Sequence, residues 1–291
     1  MDRRALLASG AAAALLVASG ISAGAMPTRG GRLRAALSGA SRQDTFDARE
    51  IQGLFMQVAT VGTVFDTLTE VAADGTLRGE LATHWHGDAG ARNWIFRLRE
   101  DANFHDGTPF SAKDAIASLR RLQGTILSDV VTFDAPDPYQ LLVTLRDGDP
   151  DFPYRLTDPR LVMYPGEKQS EAILNGIGTG LYRVQDFQPG RHLRAARVTE
   201  HYKDGSYGWF EEIELVALSS DAVRAEALTE NYVDVADLSH TADLLNLDGI
   251  TLVPEEHFMT AAVDHTIALP AQTGTRWPLD NLRAAERWWM A

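Results

Sequence analysis

Eight histidines and a surplus of acids over bases are the groups in this 291-residue chain that could do acid, base or metal chemistry, and cysteine is absent. His84-Trp85-His86 is the sharpest cluster, because positions i and i+2 of a strand share a face and would aim two imidazoles at one ion. No clustered acid or cysteine completes a ligand set, so no metal site is expected. His257, Asp264 and His265 make a second loose group, read as surface or cleft polar residues. His105-Asp106 has the composition of an acid–base pair, yet the Asp-Gly turn and strand end account for both residues without catalysis. Glu211-Glu212 and Glu255-Glu256 are neighbours in sequence, so on a strand they face opposite sides and do not share a proton. Neither an H-E-x-x-H pair nor a Walker loop occurs. No catalytic residue, metal ligand or cofactor is expected, and an enzyme reading has little to stand on.

The elements that would position such groups are legible along the chain. Trp94, Phe96 and Leu98 alternate with Ile95, Arg97 and Arg99, the period of a strand with one buried face. His105-Asp106-Gly107-Thr108-Pro109 is a turn, and Ser111 with Asp114 forms a capping box opening a helix with core positions Ala115, Ile116, Leu119 and Leu122. Arg32–Leu37 reads as an alternating strand ended by Ser38-Gly39. Helical spacing links Leu54, Val58, Val61, Val64, Phe65 and Leu68, and Asp74-Gly75 predicts a hairpin turn. Leu141–Leu145 reads as a further strand, and Pro150, Pro153, Pro159 and Pro165 punctuate a loop-rich stretch. Gly178 and Gly180 suit positive φ or close backbone approach, without the Lys-Ser/Thr of a phosphate loop. Strands at Arg194–Val198 and Glu212–Leu218 flank a Gly-rich turn around Lys203–Gly208. A helix from Asp221 to Glu230 has an acidic start, Asn231 is a left-handed terminator, and Val233–Ala236 is a strand.

With 45% hydrophobic residues the chain can bury a sizeable core, and a net charge of −13 argues against a nucleic-acid partner. Arg3 and Arg4 precede an apolar run from Ala5 to Ile21, and Ala23-Gly24-Ala25 offers a small-x-small cleavage site. That is the layout of an export signal, too poor in leucine for a permanent membrane span. The paired arginines resemble a twin-arginine signal, although Asp2 departs from the pattern and a Sec signal stays open. With no cysteine to acylate, the expected mature protein is soluble and periplasmic, with no lipid anchor.

The run from Leu98 to Ala115, LREDANFHDGTPFSAKDA, resembles the signature of the family 5 solute-binding proteins of ABC importers, which bind peptides, nickel complexes and related solutes. Asp66–Glu70, Leu81–Trp85, Gly178–Tyr182, Val233–Ala236 and Pro278–Arg283 resemble further family segments in the same order. The resemblance implies a mixed α/β (α+β) fold of the periplasmic-binding-protein type II clamshell, of which this chain carries the first lobe. After the export signal at 1–25, it places a core subdomain at 26–60 and 176–265, an inserted subdomain at 61–175, and the start of a second lobe at 266–291. Ser38, Gly39, Phe65, Thr266 and Leu269 are the implied ligand-cleft candidates, and Trp85 the implied packing residue. The implied partners are a small-molecule or peptide solute and an ABC permease in the inner membrane, with the chain a monomer if complete.

Departures from the family pattern carry their own expectations. Leu269-Pro270 replaces a ligand-facing Phe-Asn, which counts against peptide-backbone recognition. Glu100-Asp101-Ala102 replaces Asp-Gly-Val, which puts a side chain where left-handed backbone is expected, and Lys203 replaces a Trp. The sequence ends at Arg287-Trp288-Trp289-Met290-Ala291. That end reads as a truncated member with weak or no solute binding. The alternative is a secreted half-clamshell that pairs with a separate partner through Trp288-Trp289.

Overall fold

Strand β1 (Arg32–Leu37) ends in the small and aliphatic run Ala35-Ala36-Leu37, where it is covered on both faces. The structure, a computed structural model, describes residues 29–51, 53–61, 63–72 and 76–239, with the strands Ile250–Pro254 and Met259–Val263. Leu33, Ala35 and Leu37 face the main core, and Ala36 on the other face packs with Ala227, Leu228 and Leu238. Strict alternation fails here for that reason, as expected of a strand with parallel neighbours on either side. Arg34 shares the second face and is held by Asp234, with Nη2 to Oδ1 at 2.7 Å.

The main core begins with α1 (Gly53–Thr60), which buries Leu54, Phe55, Met56, Val58 and Ala59. The helix stops at Thr60, short of the reach to Leu68 that its spacing predicts. The β-branched Thr60, Val61, Thr63 and Val64 disfavour another turn. The Thr63 hydroxyl then donates to Val58 O at 2.6 Å and the Phe65 N–H to Thr60 O at 2.9 Å, closing the end. Val61, Val64 and Phe65 are fully buried nonetheless, in the main core.

An antiparallel hairpin follows, β2 (Thr69–Val71) with β3 (Leu77–Gly79); the turn residues 73–75 between them lie outside the described residues. A four-stranded antiparallel sheet comes next, made of β4 (Ala82–Gly87), β5 (Asn93–Leu98), β6 (Val130–Asp137) and β7 (Gln140–Leu145) in the order β4-β5-β7-β6. In β5 the inner face is Trp94, Phe96 and Leu98, as alternation predicts. Each such fully buried aromatic contributes about 2–3 kcal/mol of burial energy. Helix α2 (Ala112–Arg120) starts at Ser111 with its capping box, the Asp114 carboxylate accepting from Ser111 N at 2.9 Å and Oγ at 2.6 Å. It lays Ala115, Ile116 and Leu119 on that sheet. Strand β6 and two short helices, α3 (Phe152–Arg155) and α4 (Gln169–Asn175), are not marked by any pattern in the sequence, and α3 falls within the proline-punctuated stretch.

The chain then returns to the main sheet. Strands β8 (Tyr182–Gln188), β9 (His192–Arg197) and β10 (Glu212–Ala217), helix α5 (Asp221–Thr229) and β11 (Val235–Leu238) follow in order. With β12 (Ile250–Pro254) and β13 (Met259–Val263) they complete a seven-stranded sheet ordered β12-β13-β11-β1-β10-β9-β8. Strand β1 runs parallel to β10 and β11, and the outer pairs are antiparallel. Ser220 caps α5, and Asn231 after it has φ 58°. The expected left-handed side chain at Glu100–Ala102 is not found, since Ala91 and Asn231 are the non-glycine residues with positive φ among those described.

Two large hydrophobic cores result among the described residues, beside the small cluster of Ala36, Ala227, Leu228 and Leu238. One runs from Leu33 to Phe65 and resumes from Val162 to Val235; the other lies between Leu68 and Met163. Residues 61–65 and 164–175, expected in the insertion, thus supply Val61, Val64, Phe65, Tyr164 and Ala172 to the main core.

Candidate functional site

The carboxyl ends of β1, β10 and β11 lie side by side, with the chain crossing to opposite sides of β1. In open α/β sheets that place, a topological switch point, is where ligands settle. Ser38 and Gly39 sit there. Ser38 donates its N–H to Asp237 Oδ1 at 2.8 Å and its hydroxyl to Oδ2 at 2.7 Å. Asp237 is buried, which pushes its carboxyl above the usual value despite those bonds and the nearby Arg224. Arg224, also buried, donates to Asp237 O at 2.7 Å, to Leu218 O at 2.6 Å and to Asp221 at 2.9 Å, tying the ends of β10 and β11 and α5 into one rim that the end of β1 joins through Ser38 and Asp237. Gly39, exposed at φ 78°, rides directly on α1: a Cβ there would meet Gly53 Cα at 2.9 Å. Asp237 and Arg224 were not singled out from the sequence; their signal was an acid on a strand facing a basic residue in the preceding helix. The rim's exposed Gly39, Ser219 and Ser239 suit hydrogen bonding to amides or carboxylates.

Phe65 is not part of that rim. Its ring is fully buried in the main core, with centroids 5.0 Å from Tyr164 and 6.1 Å from Phe46, because the segment after α1 turns inward. Thr266, Leu269, Arg3, Arg4, Ala23 and Ala25 lie outside the described residues, as do Glu255-Glu256, His257, Asp264, His265 and Trp288-Trp289. His84 and His86 share the exposed face of β4, and Trp85 packs against the insertion's core. No group of three or more His, Cys, Asp or Glu is placed to hold a metal ion among the described residues. Glu212 pairs with Arg32.

His105 has a structural task. Its Nε2–H donates to Gly180 O at 2.7 Å, its backbone N–H to Gly178 O at 2.8 Å, and its Nδ1 faces the Gly178 N–H at 3.4 Å. Burial lowers its pKa, and these partners fit the neutral imidazole. From the other side His201 reaches Thr179 O at 2.7 Å and is likewise neutral, burial bringing its pKa to about 4. Two imidazoles thus grip the strip Gly178-Thr179-Gly180. The strip needs glycine through close approach: a Cβ at Gly178 would lie 2.0 Å from Val64 O, and one at Gly180 2.4 Å from Thr63 O. Asp106 turns away to Lys168 at 2.7 Å, so no acid–base pair forms with His105. A cleft of about 490 Å³ opens beside this joint, lined by His105, Arg183, Arg197, His201 and Tyr202 among others. Beneath it Lys203 reaches the buried Asp66 and Glu80, an ion cluster that sequence spacing had not brought together. Its signal was the lysine standing where the family pattern has a tryptophan.

Known proteins share this architecture. The structure of the PBP AgaA from A. tumefacien R10 in complex with agropinic acid superposes with a TM-score of 0.71 at 24% identity, covering 77% of this chain and 48% of that one. The probable D,D-dipeptide-binding periplasmic protein DdpA of Escherichia coli (strain K12) is 25% identical over 218 residues, 68% of this chain and 41% of its own length. The nickel-binding periplasmic protein of the same organism is 26% identical over 240 residues, 77% of this chain and 45% of its own. The chain therefore spans less than half the length of these curated relatives. Residues 76–282 match the model of the family described as bacterial extracellular solute-binding proteins, family 5 Middle, and the chain belongs to that family.

Proposed function

We propose that this chain forms one wall of the solute cleft of a periplasmic binding protein that serves an ABC importer. The observation that carries the reading is the rim at the carboxyl ends of β1, β10 and β11, where Ser38 is held by Asp237 and Arg224 closes the strand ends. Its cargo is a peptide or a compact related solute bound by hydrogen bonds, then delivered to a membrane permease without covalent chemistry. In such a protein the solute shifts the population toward a closed form. The rim alone leaves one side of a solute in water, so this chain by itself should bind weakly or not at all.

Amide chemical shifts of the chain, titrated with dipeptides and with nickel–histidine, test the reading. We expect millimolar changes at Ser38, Gly39 and Ser239 with one class of solute. Changes confined to other surfaces, or micromolar affinity, would overturn it. Among the described residues no helix is long and apolar enough to cross a membrane, and we infer export to the periplasm from the Arg3-Arg4 leader. Replacing both arginines by lysine should abolish periplasmic accumulation by a twin-arginine route; unchanged accumulation points to Sec.

A further inference from the structure

The cluster beneath the joint has no part in the rim. Asp66 precedes β2 and Glu80 follows β3, and both carboxylates are fully buried. Lys203 arrives from the turn between β9 and β10, donating Nζ to Asp66 Oδ1 at 3.0 Å and to Glu80 Oε1. The Thr67 N–H donates to Glu80 Oε2 at 3.0 Å. One ammonium facing two buried carboxylates leaves a negative charge over, which burial makes expensive.

The neighbouring cations make their closest contacts with other groups, although Arg78 also acts on Glu80. Arg78 on β3 pairs with Glu70 on β2 at 2.6 Å and lies over the Tyr207 ring. Arg99, after β5, donates to Glu80 O at 2.6 Å and lies over the Tyr202 ring at 4.4 Å. His201 and His105 are neutral, as described above. Asp66 Oδ2 is a buried carboxylate oxygen with no donor among the described residues, and the single Lys203 ammonium bonded to both carboxylates sets Glu80 beside Asp66. A proton on Glu80 supplies that donor and removes the surplus charge together.

We propose that Asp66, Glu80 and Lys203 form a one-proton latch, in which a carboxylic-acid hydrogen bond from Glu80 to Asp66 and the Lys203 ammonium fasten the β9–β10 turn of the core to the start of the insertion. Electrostatics agrees. Burial raises the Glu80 carboxyl well above 4.5, against the pull of Lys203. Burial also pushes Asp66 up, but Lys203 and then His201 outweigh it and hold Asp66 below its ordinary value.

The sign of the pH dependence follows from these directions. The folded chain keeps a proton on Glu80 that the unfolded chain releases above pH 4.5, so the latch weakens as pH rises toward the folded value. His201 acts in the opposite sense between about 4 and 6.5, and above that range Glu80 decides. Asp66 matters only below 3.8, where its ionised form is lost.

Urea unfolding of the full chain and of Glu80→Gln, from pH 6.5 upward, tests the latch. The wild-type folding constant should fall about tenfold per pH unit relative to the variant, one proton's worth, until Glu80 ionises. Parallel curves would overturn the proposal. A second measurement uses the infrared carbonyl band of a protonated acid at pH 7. Lys203→Met should move the alkaline midpoint of that band upward, because it removes the charge that favours ionised Glu80. A band absent at pH 7, or one indifferent to Lys203→Met as a band from Asp237 would be, overturns it equally.

Discussion

Gly178→Ala probes how tightly the insertion is seated on the core. The added Cβ would stand 2.0 Å from Val64 O and 2.5 Å from Phe65 Cδ1. Carbon–oxygen contacts settle near about 3.3 Å, so something must move by more than about 1 Å. Neither neighbour is at liberty to do so. Val64 O accepts the Gly180 N–H at 3.0 Å, and the Phe65 ring is packed against both Phe46 and Tyr164. Overpacking of this kind costs about 1–3 kcal/mol. The displaced strip also loosens His105 N–H to Gly178 O and Tyr182 N–H to Thr63 O, at about 1 kcal/mol each. A total near 4 kcal/mol is expected. Gly107→Ala is the control, because φ is 83° there and nothing lies within 4 Å of the new Cβ. Only the left-handed backbone is strained, at about 1 kcal/mol. Denaturant unfolding with the slope fitted for each variant separates the two. If Gly178→Ala falls within 1 kcal/mol of the control, the strip yields freely and the reasoning about close approach is wrong.

Three further outcomes are expected. Tyr164→Phe removes a hydroxyl that donates to Phe46 O at 2.8 Å and accepts from Ala48 N–H at 2.9 Å. Both buried backbone groups are left unpaired, for a loss of about 2 kcal/mol in denaturant unfolding; a loss below about 0.5 would contradict this. Ser111→Ala removes one half of the α2 capping box and should cost about 1 kcal/mol, with no effect on stability counting against the cap. Asp47 is pushed up by burial, yet hydrogen bonds from Arg49 and Arg121 outweigh this and set its pKa at about 2. A depressed folded value stabilises fully above pH 3.8 and is lost as pH falls toward 2, for about 2 kcal/mol in acid titration. Arg121→Met should flatten that acid limb, and an unchanged limb would remove Arg121 from the account.

The legible parts of this fold were those specified locally. The alternation of Trp94, Phe96 and Leu98 and the Ser111–Asp114 box each depend on neighbours a few residues away, so pattern was enough. Asn231 was readable for the same reason. Strand β6 escaped because its inward residues are only Val130 and Phe133, too sparse for a period. The false extension of α1 came from a segment buried on every side, where helical spacing and plain burial look alike. Ser38 and Gly39 were legible as the end of β1, whereas their place in a cleft was implied only by the family resemblance. Asp237 meets Ser38 from 199 positions away, and Lys203 meets Asp66 and Glu80 from 137 and 123, and spacing carries no sign of such meetings.

The way β1 finds its neighbours has a kinetic consequence. Arg32 pairs with Glu212, 180 positions later, whereas the four-stranded sheet is complete within residues 82–145. Closing so long a loop is slow compared with local pairing. The insertion should therefore acquire protected amides first, leaving β1 for an interval as a solitary strand with both edges unsatisfied. During that interval the chain is most exposed to aggregation through Leu33, Ala35 and Leu37. Pulsed hydrogen exchange during refolding would show this order directly, as early protection at Phe96 and Val143 and late protection at Ala35.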